Sequence, residues 1–306
     1  MSAHASPEGG NPEAQAYDGV LPLADVSRLA HRYEGFILDQ WGVLHDGARP
    51  YAGALDCLRQ LRASGKRIVV LSNSGKREDD NVELMRAMGF ERALYDRFVS
   101  AGEDARQAVV ARRHAFHRAL GRRCYAFTRD GDLSVFAGIG LEFTDRVESA
   151  DFLAVLGIDS PRRQLRDYEA ELEAAAARRL PMICANPDLW RFAGDGMIEA
   201  AGVLARRYEA LGGQVFYHGK PHAPIYATCI EILGCAPERM IAIGDSVEHD
   251  ILGAVRAGIP CALLAGGVHA ADLDVTWGKL PEASAWRRFA SGAAATPDYL
   301  LPAFVW

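Results

Sequence analysis

At 306 residues, 49% of them hydrophobic, the chain is long enough for about two domains of roughly 100–200 residues each and carries enough apolar material for two cores. Its formal charge of -6, with arginines scattered among acids, offers no basic field for a polyanion, so nucleic acid is not an expected partner. The six cysteines, Cys57, Cys124, Cys184, Cys229, Cys235 and Cys261, form no C-x-x-C pair and have no histidine at zinc-site spacing, so they read as buried thiols in a reducing compartment. The first 19 residues lack the charged start and apolar core of a signal peptide, and no apolar run approaches the ~18 residues of a membrane span. A cytoplasmic chain without a membrane partner, with residues 1–19 as a mobile tail, is the expectation.

In chain order, residues 35–39 (GFILD) and 67–71 (RIVVL) are apolar runs flanking the amphipathic segment 52–64, which predicts a strand, a helix and a strand. Gly65 stands where that helix should stop, and strands apolar throughout suit a parallel sheet buried on both faces. The middle of the chain predicts a helix from about 103 to 120, a strand at 123–127, a long helix at 161–178 and a strand at 181–184 (PMIC). Later come a helix at 222–233, a strand at 239–243 (RMIAI), a helix at 249–257, a strand at 259–264 (IPCALL) and a short strand near 298–301. One α/β sheet is therefore built from both ends of the chain, with a second α/β domain inserted over about 104–214. His114 and His117, one helical turn apart, read as a solvated helix face, and GDGMIEAAG lacks the spacing of a dinucleotide fingerprint.

Four short signals fall at or just after the C-terminal ends of strands, where open α/β sheets place their ligands. In FILDQWGVL, Asp39 ends a strand and Gly42 lets the chain turn away. In VVLSNSG, Ser72 and Asn73 can donate hydrogen bonds to an oxyanion. HGKPHAPIY supplies Lys220 ahead of a helix, and IAIGDSVEHD supplies Asp245 and, five residues on, Asp250. Taken singly these are turn formers, helix caps and a surface lysine. Their joint order, each at the correct end of a strand, points to one site.

The four segments resemble the motifs of the haloacid dehalogenase-like superfamily of aspartate-nucleophile hydrolases, and the match covers nearly the whole chain outside the tail. The insertion after LSNSG and before HGKP, with FVSAGEDARQAV, ICANPDLW and GDSVEHDILGAVRAG, is similar to the subgroup of nucleotide-monophosphate, p-nitrophenyl-phosphate and pyridoxal-phosphate phosphatases. The resemblance implies a Rossmann-like parallel-sheet core, 20–103 and 215–306, with an inserted α/β cap domain, 104–214. It also implies a phosphatase acting on a small phosphorylated metabolite, and it allows a homodimer formed through the cap. By position it makes Asp39 the nucleophile that forms an aspartyl-phosphate. Mg²⁺ would be held by Asp39, Asp245 and the main-chain carbonyl of Trp41, with Asp250 supporting the ion or its waters. Ser72, the Asn73 main chain and Lys220 would hold the phosphoryl oxygens. Asn186 and Asp188 follow a cap strand and read equally as substrate selectors or as an ordinary turn.

One position departs from the pattern. Most phosphatases of the superfamily carry a second Asp two residues after the nucleophile, as general acid and base; here that residue is Trp41. General acid help is worth about 10²–10⁴ in rate, so its loss demands a substitute or a good leaving group. His45 or Asp46 could supply the proton, or the substrate could be an acyl phosphate, aryl phosphate or phosphoanhydride that needs none. An aromatic here also resembles the dehalogenase branch, against which Asp245 and Asp250 argue. A low-turnover protein that binds a phosphorylated ligand is the reading from a different class.

Overall fold

The computed structural model describes residues 17–193 and 196–306. Strands in the first part of the chain are β1 (Leu21–Pro22), β2 (Gly35–Asp39), β3 (Arg67–Ser72) and β4 (Arg97–Ser100), with helices α1 (Ser27–Arg32), α2 (Ala54–Ala63), α3 (Glu78–Ala87) and α4 (Ala101–Ala111). The middle adds α5 (Ala115–Arg118), β5 (Arg123–Phe127), β6 (Glu142–Phe143), β7 (Phe152–Val155), α6 (Glu169–Ala177) and β8 (Met182–Cys184). There follow the hairpin β9 (Trp190–Ala193) and β10 (Gly196–Glu199), then α7 (Gly202–Ala210), β11 (Val215–Tyr217) and α8 (Ala223–Leu233). The last part holds β12 (Met240–Gly244), α9 (Leu252–Arg256), β13 (Cys261–Leu264), α10 (Ala283–Ala290) and β14 (Tyr299–Leu301). Two compact units divide the chain at 68/69 and at 232/233. The β3–β4 pair and most of α8 thus fall by packing in the same unit as the inserted sheet.

In the unit made of both chain ends, β1, β14, β13, β12 and β2 lie side by side, all parallel. Every residue of β2, β12 and β13 is buried, which is why these strands are continuous apolar runs. Helix α2 buries Ala54, Cys57, Leu58 and Leu61, a stripe at helical spacing, and stops where Gly65 takes φ +72°. Residues 1–16 of the expected tail lie outside the described residues, whereas Tyr17 is tied down. Its hydroxyl donates to the Pro281 carbonyl at 2.8 Å, and the indole N–H of the buried Trp286 donates to the Tyr17 carbonyl at 3.0 Å. The helix expected at 249–257 instead begins with a single π turn, Val247–Ile251, and is α-helical only over Leu252–Arg256. Among the described residues no helix is long and apolar enough to cross a membrane.

In the other unit β3 and β4 form a parallel pair, and a second sheet runs in the order β11, β8, β7, β5, β6, again parallel throughout. Strand period 2 divides its residues between two cores. Leu153 and Val155 pack with Leu172 and Ala175 of α6 and Leu204 and Tyr208 of α7, while Phe152 and Ala154 pack with Ala105 and Val109 of α4. The helix expected at 103–120 breaks, because Arg112 adopts a left-handed φ of +48° and His114 caps a new short helix by accepting the Phe116 N–H at 3.1 Å. His117 is correspondingly buried, not solvated. Its Nε2 lies 3.2 Å from His218 Nε2, and burial, then the neighbouring His218, lowers its pKa to about 4. The helix expected at 161–178 is α-helical only over 169–177, because Gln164 and Asp167 close a capping box that starts a 3-10 turn at Leu165–Tyr168.

Tyr208 is fully buried, its ring fills the space left by the missing side chain of Gly213, and its hydroxyl donates to the Leu180 carbonyl at 2.6 Å. Tyr208→Phe should cost about 1–2 kcal/mol by leaving that carbonyl unpaired, and Tyr208→Ala about 3–5 kcal/mol by also opening a cavity. Denaturant titration followed by circular dichroism ranks the three proteins. A Phe variant as stable as wild type would mean that the Leu180 carbonyl finds another donor.

Candidate active site

Strands β2 and β12 are neighbours in register, Ile243 beside Leu38, so Asp39 at the end of one and Asp245 just past the other emerge at the same sheet edge. The π turn brings Asp250 to them, and ligand oxygens of Asp39, Asp245 and Asp250 all lie within 4.8 Å of one another. Main-chain N–H groups aim each carboxylate: Gln40 N–H donates to Asp39 Oδ1 at 2.7 Å, Val268 N–H to Asp245 Oδ2 at 2.8 Å and Ser246 N–H to Asp250 Oδ2 at 3.1 Å. Glycines clear the space. A Cβ on Gly42, which has φ +77°, would meet Asp245 Oδ2 at 1.8 Å, and one on Gly244 would meet Asp250 Cγ at 2.1 Å. Gly267 makes room for Asp245 in the same way, and it was not anticipated. The Gly-Gly pair directly after the apolar run CALLA was the signal that could have found it.

Trp41 is half-exposed, its ring lies over the Gly47 backbone, and it meets His45 edge-on at 5.3 Å between centroids. Neither candidate substitute acid is in its acidic form at neutral pH. His45 is fully buried and its Nδ1 accepts the Gly47 N–H at 2.9 Å, which leaves the neutral ring's proton on Nε2. Burial lowers its pKa to about 4, so the imidazolium is scarce at pH 7. Asp46 Oδ1 accepts the N–H groups of Ala48 and Arg49 at 2.9 and 2.8 Å, and these hydrogen bonds hold its carboxyl below the usual range, ionised. Tyr51, stacked on Trp277 at 3.8 Å, has its phenol pushed up by burial and by the Asp245 charge, which makes it a weaker acid than usual.

In the second unit Ser72 ends β3, buried, and its Oγ accepts the Ser74 N–H at 3.2 Å. The Asn73 side chain is a clasp. Its Oδ1 accepts the Lys220 N–H at 2.6 Å, and its Nδ2 donates to the Lys220 carbonyl at 3.0 Å and to Asp188 Oδ1 at 2.7 Å. Both amide hydrogens are therefore committed, so only the main chain of Asn73 remains to donate to an oxyanion. Gly219, φ +110°, fits because a side chain there would strike Asn73 Oδ1 at 2.7 Å and Pro187 at 2.9 Å. Asn186 Oδ1 accepts the Asp188 N–H at 3.1 Å, a local turn. Lys220 is buried at 4% exposure. Two residues before it, His218 Nδ1 meets Asp104 Oδ2 at 2.6 Å, and Thr228 Oγ1 donates to Asp104 Oδ1 at 2.9 Å. This chain was not foreseen, since its members are 114 and 124 residues apart.

The haloacid dehalogenase-like hydrolase model matches residues 36–142, and a HAD-hydrolase-like model matches residues 217–285. A solved hydrolase of the haloacid dehalogenase-like family from Brucella suis 1330 is 31% identical, with a TM-score of 0.74 over 92% of this chain and 99% of that one. Chronophin of Rattus norvegicus is 29% identical over 249 residues, 77% of each protein. The ribonucleotide monophosphatase NagD of Escherichia coli K12 is 26% identical over 242 residues, 77% of this chain and 89% of that protein. With Asp39, Asp245 and Asp250 gathered at one sheet edge and these relatives spanning most of its length, the chain belongs to the haloacid dehalogenase-like hydrolase family.

Proposed function

We propose that the protein is a Mg²⁺-dependent phosphohydrolase that works through an aspartyl-phosphate on Asp39 and expels a leaving group needing no proton from the enzyme. The cluster of Asp39, Asp245 and Asp250 carries this reading. Its oxygen-only donor set suits a hard cation, and the glycine at 42 leaves the room that the Asp245 carboxylate occupies beside Asp39. Asp39, Asp245 and the Trp41 carbonyl would hold the ion, with Asp250 beside it or its waters. When bound it would screen the repulsion between a carboxylate and a phosphate dianion.

The Gln40 N–H fixes the Asp39 carboxylate. An Asp39 oxygen attacks phosphorus, the bond from phosphorus to the leaving oxygen breaks, and its electron pair departs with that oxygen. Water then attacks the acyl phosphate, returning the carboxylate and inorganic phosphate. We assign Ser72, the Asn73 main chain and Lys220 to the phosphoryl oxygens, with the Asn73 side chain and Asp188 acting through the clasp that holds Lys220. The name of the NagD relative supports a small phosphorylated metabolite as the substrate class. Six free cysteines, five of them buried, suit a cytoplasmic setting. Trp41 favours a second reading, a low-turnover protein that binds a phosphorylated ligand. A dehalogenase-type reaction is disfavoured because displacing halide from carbon needs no such carboxylate cluster.

Asp39→Asn should keep the fold and lower p-nitrophenyl phosphate hydrolysis by at least roughly 10³-fold. Chelation should silence wild type, Mg²⁺ should restore it, and Asp245→Ala should not be restored. An Asp39→Asn protein within tenfold of wild type removes Asp39 as nucleophile, and a folded, magnesium-loaded wild type without turnover selects the binding-protein reading. Trp41→Asp keeps the main-chain carbonyl and adds a carboxyl near the leaving oxygen. It should speed alkyl phosphates by up to about 10²-fold while leaving aryl phosphates nearly unchanged. Parallel assays of one alkyl and one aryl ester decide this, and equal effects on both would show that the new carboxyl gives no proton.

A further inference from the structure

The unit containing the inserted sheet carries a groove of about 610 Å³, between the C-terminal half of α4 and the 138–141 segment, within the size range of small-molecule sites. It shares no residue with the carboxylate cluster or with the Asn73 clasp. Three arginines line it, Arg106, Arg112 and Arg122, and no acid does. Elsewhere in the unit arginines meet carboxylates, as Arg77 does Glu103, Arg97 does Glu78 and Arg123 does Asp151. The groove arginines are held by main-chain carbonyls instead. Arg106 Nη1 donates to Val135 O at 2.9 Å and Ala137 O at 2.7 Å, Arg112 Nη1 to Leu120 O at 2.7 Å, and Arg122 Nη2 to Gly140 O at 3.1 Å. Neutral carbonyls fix the guanidinium groups without cancelling their charge, and each keeps further N–H donors.

The 138–140 segment also lines the groove. Gly138 and Gly140 take φ of +73° and +76° on either side of Ile139, and among the described residues none of these three main-chain N–H groups meets an acceptor. Successive N–H groups in turns of alternating hand form concavities that suit anions. The remaining lining is apolar, with Val110 at 56% exposure on the helix and the partly buried Ile139 and Leu141, which also pack against the core that includes Val109.

We propose that this groove binds a small, multiply charged anionic metabolite, its phosphate or carboxylate groups held by Arg106, Arg112 and Arg122 and its carbon skeleton by Val110, Ile139 and Leu141. The inference stands whether or not the phosphohydrolase reading does, because it uses none of those residues.

Titration calorimetry on protein stripped of metal by a chelating resin, with methylenediphosphonate in one arm and tricarballylate in the other, tests it and separates phosphate from carboxylate recognition. One or both probes should bind saturably at one site per chain. Val110→Glu places a carboxylate in the groove from an exposed helix position and should weaken binding at least tenfold, whereas Val110→Lys should keep or tighten it. Arg106→Gln, which retains an amide donor towards the Val135 and Ala137 carbonyls, should weaken it as well. The opposite response to Glu and Lys is what a packing effect would not produce. No saturable binding of either probe up to roughly 10 mM, or equal affinities in the Val110→Glu and Val110→Lys proteins, overturns the proposal.

Discussion

Mutual repulsion among three carboxylates is the constraint around which the first unit is arranged. Ligand oxygens of Asp39, Asp245 and Asp250 lie within 4.8 Å of one another, so their like charges repel, and a hard cation would relieve that repulsion. Much of the local structure serves to hold the three acids against this force. Two parallel strands in register bring Asp39 and Asp245 out at one edge, a π turn turns Asp250 back towards them, and main-chain N–H groups donate to all three. The glycines at 42, 244 and 267 are needed because the acids occupy the places of their side chains.

The loop that follows Asp39 offers no ready proton donor. Trp41 stands two residues on, packed over Gly47, and the two polar residues beyond it are committed to the loop itself, His45 to the Gly47 N–H and Asp46 to those of Ala48 and Arg49. The pKa shifts follow from these roles: burial disfavours the charged imidazole, and the N–H donors favour the charged carboxylate. Such a loop suits the proposed chemistry, which relies on the leaving group's own stability.

The parallel core was legible because strands buried on both faces must be apolar throughout. GFILD and RMIAI announce themselves, and the acids at or just past their ends follow from where such sheets place ligands. What was not legible depends on partners distant in sequence or on unusual backbone. Asn73 reads as an oxyanion donor, but only its main chain is left to donate, because Asp188, 115 residues away, and Lys220 take its side-chain amide. Nothing in the run 103–120 marks Arg112 for a left-handed conformation, so the helix break and the burial of His117 against His218 were missed. Short strands such as FLAV in β7 are too brief for periodicity to distinguish.

A single kinetic measurement bears most directly on the chemistry of Asp39 and Trp41: kcat/KM of the wild-type protein with Mg²⁺ across phosphate monoesters of graded leaving-group pKa. With no proton donor the leaving oxygen carries its full charge, so log kcat/KM should fall steeply and linearly from nitrophenyl through phenyl to alkyl esters. A shallow slope, with alkyl phosphates turned over about as well as aryl ones, would show that a proton is delivered after all and would contradict the proton-withholding role of the loop from Trp41 to Asp46.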